Sequence, residues 1–149
     1  MFEILFRGKD QYTGEWVFGN YSGADFADGT PSQHFILERK GDRRAHSVDP
    51  ETVGQYIGLR DKNLAMAFDG DVTEDEDGKR WVIFRAAGCV GHCRTHEFPA
   101  GCTIHFYDDL CGLNNNCRFM KSHEIIGNII DNPELLRRKP CKAKSKGSS

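Results

Sequence analysis

The chain has 149 residues, 38% of them hydrophobic, with 16 glycines and 10 phenylalanines. That length makes one domain, or two small subdomains on a shared core, and the composition favours short strands and tight turns over long helices. A formal net charge of −2 excludes a body that is cationic throughout, and no apolar run reaches the length of a transmembrane helix.

The opening MFEILFRGK carries only a few consecutive apolar residues and no cleavage-like site, so it does not read as a signal peptide and a cytoplasmic location is expected. Residues 3–7 and 15–21 predict two strands joined through residues 9–14. Trp16 and Phe18 share one face of the second strand by the period of two, and are read as core rather than as a base-stacking platform. Residues 22–33, with their glycines and a proline, predict a loop. A third strand is predicted over 34–39, turning at Lys40-Gly41-Asp42. Asp49 followed by Pro50, Glu51 and Thr52 has the grammar of a helix start, a side-chain cap and then proline; Gly54 and Gly58 limit that helix to about one turn.

Further on, strands are predicted over 81–85, 103–107 and 118–120, with a closing strand over 124–130. Asn132-Pro133-Glu134 repeats the cap-and-proline grammar for a short helix carrying Leu135 and Leu136. Charge then becomes lopsided. Residues 137–149 hold six basic side chains and no acidic one, leaving 14 basic against 22 acidic residues before them, a charge of −8. Residues 139–149 cannot bury a core and are predicted to be a disordered basic tail. An acidic body is a poor surface for a polyanion, so any nucleic-acid contact falls to that tail.

Two segments place the chain in a family. VDPETVGQYIGLRD (48–61) and EIIGNIIDNPELL (124–136), with EILFRGK (3–9) and GEWVFG (14–19), resemble the YopX-like proteins of phages and prophages, in the family's order and across almost the whole chain. The resemblance implies a fold and a habitat; it brings no established activity. In the family the segment after the central motif runs DKNG and then an aromatic with EGDIV. Here Leu64 replaces the glycine, which puts that turn in doubt because leucine tolerates positive φ badly, and Phe68-Asp69-Gly70-Asp71-Val72 stands for the second run. The expectation is a mainly β protein. A small N-terminal β subdomain covers about 1–60. An SH3-like β-barrel from about 68 to 130 and a closing helix complete residues 61–138, with short helical turns throughout. Val53, Tyr56, Ile57, Ile126 and Ile129 are expected in the core, and Gly54, Gly58 and Gly127 at turns, bulges or close backbone contacts.

The strongest chemical anomaly is a cluster of cysteines and histidines. Cys89, His92, Cys93, His96, Cys102 and His105 fall within seventeen residues, and Cys93-x-x-His96 with Cys102-x-x-His105 would supply two ligand pairs for tetrahedral zinc. The alternative is a set of reduced cysteines scattered in a cytosolic barrel, with His105 on the solvent face of a strand. Asp69-x-Asp71 starts like a calcium loop. Glu74 and Arg80, however, stand where that loop needs glycine and a bidentate glutamate, so residues 74–79 read as a hairpin tip turning at Asp77-Gly78. No catalytic set emerges. The preferred reading is therefore a noncatalytic protein-binding module without a cofactor. The alternatives are a nucleic-acid accessory factor using the basic tail and a zinc-dependent protein, with homo-oligomerisation an open possibility for a strand-rich body with many aromatics.

Overall fold

The computed structural model describes residues 4–41, 43–86, 89–99, 105–106 and 118–137. These residues form a mainly β protein with two antiparallel five-stranded sheets. The first contains β1 (Phe6–Asp10), β2 (Trp16–Ala24), β3 (Gln33–Leu37), β4 (Ala45–Arg60) and β5 (Met66–Phe68). Strand β1 pairs with both β2 and β4, so β1 to β4 close on themselves, and β5 continues from the far end of β4. The second sheet contains β6 (Asp71–Glu74), β7 (Arg80–Ala86), β8 (Cys89–Arg94), β9 (His105–Phe106) and β10 (Glu124–Asn128). Its order, β10-β6-β7-β8-β9, is that of an SH3-like barrel: a meander whose last strand returns beside the first.

The 16 residues of β4 form a single strand where a helix start was predicted at Asp49. The cap grammar is used for a bulge instead. The Asp49 carboxylate accepts the Glu51 N–H at 3.0 Å, and the Thr52 hydroxyl donates to the Asp49 carbonyl at 2.6 Å while accepting the Lys9 N–H at 2.8 Å. Across from it, β1 advances two residues, from Arg7 to Lys9, while β4 runs from Gly54 back to Asp49. An acidic side chain that bonds a backbone N–H two residues on serves a bulge as well as a helix cap. The β-branched and aromatic residues that follow then favour extension.

Three glycines make this geometry possible. A Cβ on Gly54 would stand 2.7 Å from the Asp69 carbonyl oxygen, and one on Gly127 would stand 2.5 Å from Asn132 Oδ1. Gly58 has φ +86° where the β4–β5 register slips. The core lies between the sheets: Ile57, Leu59 and Ala67 from the first meet Ile83 from the second, closed by Met120 with Val90 and Ile125 packed alongside. Tyr56 and Ile57 are buried as expected, whereas Val53, Ile126 and Ile129 are only half-buried. For Ile126 the cause is a second bulge, since Ile125 pairs with Thr73 and Gly127 with Val72, leaving Ile126 as the extra residue.

Two other expectations need correction. Residues 118–120 belong to a helical turn, Arg118–Lys121, rather than a strand; Met120 plugs the core from it. The closing turn Pro133–Leu136 is a 3-10 helix with proline in its first turn, but Asn132 does not cap it, because its side-chain oxygen accepts the Asn128 N–H at 3.2 Å. The hairpin tip is as expected: Gly78 has φ +78°, and Asp75 accepts the N–H groups of Asp77 and Lys79. The DKNL turn also forms, with Leu64 held at φ +67°. The tail segment 139–149 lies outside the described residues.

Candidate functional site

Trp16 and Phe18 share a face of β2, as their spacing predicts, but that face is not core. In register with β1 they stand opposite Lys9 and Arg7. Arg7 is buried, and its guanidinium lies between two rings, 4.6 Å from the centroid of Trp16 and 4.8 Å from that of Phe68. One end of it meets the buried Asp71 carboxylate at 2.7 Å. Asp71 also accepts the Phe68 N–H at 2.8 Å. Burial pushes the Asp71 carboxyl upward, and the Arg7 charge opposes that shift. The pair joins β1 of the first sheet to β6 of the second.

A second tie runs from the same face to the segment after β10. Asp131 accepts the indole N–H of Trp16 at 2.7 Å and forms an ion pair with Lys9. Phe18 is left at the edge of this assembly. Its ring lies 5.6 Å from Phe68, yet the residue remains 46% exposed. Two open grooves meet at Phe18 and Met66. One, of about 610 Å³, is lined by Leu5, Trp16, Val17, Phe18 and Met66 with Glu38, Arg39 and Lys40 at its rim. The other, of about 400 Å³, runs past Ala65, Phe68 and Ile125 to Asn128. Aromatic faces, a thioether and a charged rim equip this surface to hold an apolar side chain and orient its neighbours.

The cysteine and histidine candidates are distributed differently. Cys93 is fully buried on β8, paired with Val82. His96 sits in the 3-10 turn Thr95–Glu97, its Nε2 3.8 Å from the Glu97 carboxylate. His105 lies on β9 with its backbone in register with His92, and Cys102 lies outside the described residues. Among the described residues no group of three or more His, Cys, Asp or Glu could hold a metal ion. His92 and His123 belong to the interior: each packs on Trp81, at 4.8 and 6.3 Å between ring centroids, and Thr73 Oγ1 lies 2.8 Å from His123 Nδ1. Desolvation holds the His123 imidazole down at about 4.

Arg7, Met66, Phe68 and Asp71 complete the groove region, and no local pattern marked them as a set. Arg7 and Asp71 are far apart in sequence, and only the Phe68-Asp69-Gly70-Asp71 turn hinted at a special role. Among the described residues no helix is long and apolar enough to cross a membrane.

No curated protein matched this chain. Among solved structures it is similar to protein EF1440 from Enterococcus faecalis, at 21% identity and a TM-score of 0.50, over 92% of this chain and 100% of that one; the likeness concerns the fold. The YopX protein family model matches residues 5–137, which takes in both sheets, the groove and the closing 3-10 turn, and the chain belongs to the YopX family.

Proposed function

We propose that this YopX-family protein is a phage or prophage accessory factor that acts without catalysis, by holding a segment of a protein partner in the groove at Trp16, Phe18 and Met66. The observation that carries the reading is Phe18, a large aromatic left 46% exposed inside a concave apolar surface. Contiguous exposed apolar surface marks interaction sites more often than scattered single residues do. The wall behind it is stiff, because Arg7 is clamped between Trp16 and Phe68 and tied to Asp71. A preformed groove loses little conformational freedom when occupied. Glu38, Arg39 and Lys40 at the rim supply both signs of charge to set the orientation of a bound segment.

Peptide display tests this. Selection on the full chain should enrich sequences with an aromatic or aliphatic anchor, and Phe18→Asp should weaken their binding more than tenfold. Equal binding to the variant would defeat the reading. A dimer in light scattering that Phe18→Asp dissociates would instead assign the groove to a second copy of the chain.

A further inference from the structure

At the far end of the second sheet a separate cleft of about 390 Å³ lies between the β6–β7 hairpin tip, the end of β8 and Arg137, the residue that follows the closing 3-10 turn. Its lining is Gly78, Lys79, Arg80, Arg94, Thr95, His96 and Arg137, so five of seven residues are basic and none carries a carboxyl group. That is anomalous on a chain whose residues before 137 carry a charge of −8. The fold builds the convergence: cross-strand pairing sets Trp81 opposite Arg94 and Glu74 opposite Arg80, bringing the start of β7 to the end of β8.

Within the described structure three of these cations are not neutralised. Among the described residues Lys79, Arg94 and Arg137 have no carboxylate within ion-pair distance, whereas Arg80 meets Glu74 at 3.5 Å and His96 meets Glu97 at 3.8 Å. The Arg94 guanidinium is held over the Trp81 ring at 5.4 Å, and its buried Nε has no hydrogen-bond partner among the described residues. A ring positions a guanidinium without using its N–H donors.

We propose that this cleft binds the phosphodiester backbone of a single-stranded nucleic acid. Several cations around one concavity suit phosphate oxygens. Arg137, which lines the cleft, is also the first residue of the basic run Arg137, Arg138, Lys139, Lys142, Lys144 and Lys146 in the sequence. The concave size favours a single strand, whose phosphates can enter singly, over a duplex. This interface is distinct from the apolar groove and stands independently of it.

The test measures fluorescence anisotropy of a labelled oligothymidylate at two salt concentrations. It compares the full chain, a chain ending at Arg137, and the exposed-site variant Lys79→Glu/Arg137→Glu made in both lengths. The cleft assignment predicts that the shortened chain still binds and that charge reversal lowers affinity at least tenfold in both lengths. It also predicts a shallower salt dependence, by roughly 0.7 in slope for each phosphate no longer neutralised. Thermal melting checks that the variants remain folded. Binding that disappears with the tail and ignores the reversal would overturn the assignment, as would a full chain that fails to bind at low salt. Amide shifts at Gly78 and Thr95 caused by inorganic phosphate but not by the oligonucleotide would overturn the nucleic-acid identity of the ligand.

Discussion

Leu64 shows what a single departure from a family pattern costs. It is held at φ +67° and is 72% exposed, so it stores backbone strain without packing in return. Left-handed backbone costs an L-residue roughly 1–2 kcal/mol, part of which glycine's greater unfolded-state freedom offsets. Leu64→Gly should therefore raise stability by up to about 1 kcal/mol, and Leu64→Val should lower it; denaturant titration reads both. Arg7 and Asp71 are a sharper case. Arg7→Met should cost about 3–5 kcal/mol by leaving Asp71 charged and buried, and adding Asp71→Asn should recover much of the loss, because asparagine can still accept the Phe68 N–H. Two histidines divide the pH response. His123 has its folded-state value lowered to about 4 by desolvation. Between about 6.5 and 4 the unfolded chain binds that proton and the folded chain does not, so stability should fall by on the order of 3 kcal/mol as pH drops through that window. His46 is the opposite case: hydrogen bonds to Asp10 and Glu38 raise it, so its contribution is complete below about 6.5 and is lost as pH rises through the raised value. Melting curves from pH 4 to 9 should thus peak near neutrality, and His123→Gln should flatten the acid side alone.

At the scale of the element, the bulges decide what the strand pattern alone does not. In β10 the period of two cannot say which isoleucine faces inward, because Gly127 shifts the register and turns Ile126 into the extra residue. Ile83→Ala should accordingly cost about 2–5 kcal/mol, as expected for a fully buried core residue, and Ile126→Ala clearly less. Equal losses in urea titration would mean that the bulge is misplaced. The same physics sets how much was legible beforehand. Strands β2, β3, β7 and β10 and the Asp77-Gly78 hairpin could be read from alternation and turn chemistry. Strand β8 could not: Cys89, Gly91, His92 and Cys93 do not alternate in hydropathy, and its burial comes from Trp81 and the strands on either side. The helix-start grammar at Asp49 misled because a side-chain cap satisfies a local N–H, and whether the backbone then coils or bulges depends on the distant Lys9 N–H. The candidate site was half visible, in Trp16 and Phe18, whose pairing on one face was correct and whose burial was not.

For the whole molecule, the two sheets are tied by a shared core, by Arg7–Asp71 and by the Asp131 contacts to Lys9 and Trp16. These links make the groove a rigid product of both sheets, since Trp16 and Phe18 come from one while Ile125 and Asn128 come from the other. The cationic cleft belongs to the second sheet and the closing turn. The two proposed sites thus differ in chemistry, an apolar groove formed by both sheets and a cationic cleft of about 390 Å³. Whether the groove holds a protein segment can be read by site-specific photocrosslinking. A photoreactive phenylalanine analogue replaces Phe18 in one protein and Tyr12 in another; Tyr12 is 86% exposed and does not line the groove. Both are irradiated in lysate from a lysogenic host, and the crosslinked peptides are sequenced. Occupation of the groove by a protein segment should give one dominant crosslinked segment, rich in apolar residues, attached at position 18 and not at position 12, and displaced by peptides selected on the unmodified chain. Equal crosslinking at the two positions, or none at position 18, would contradict it.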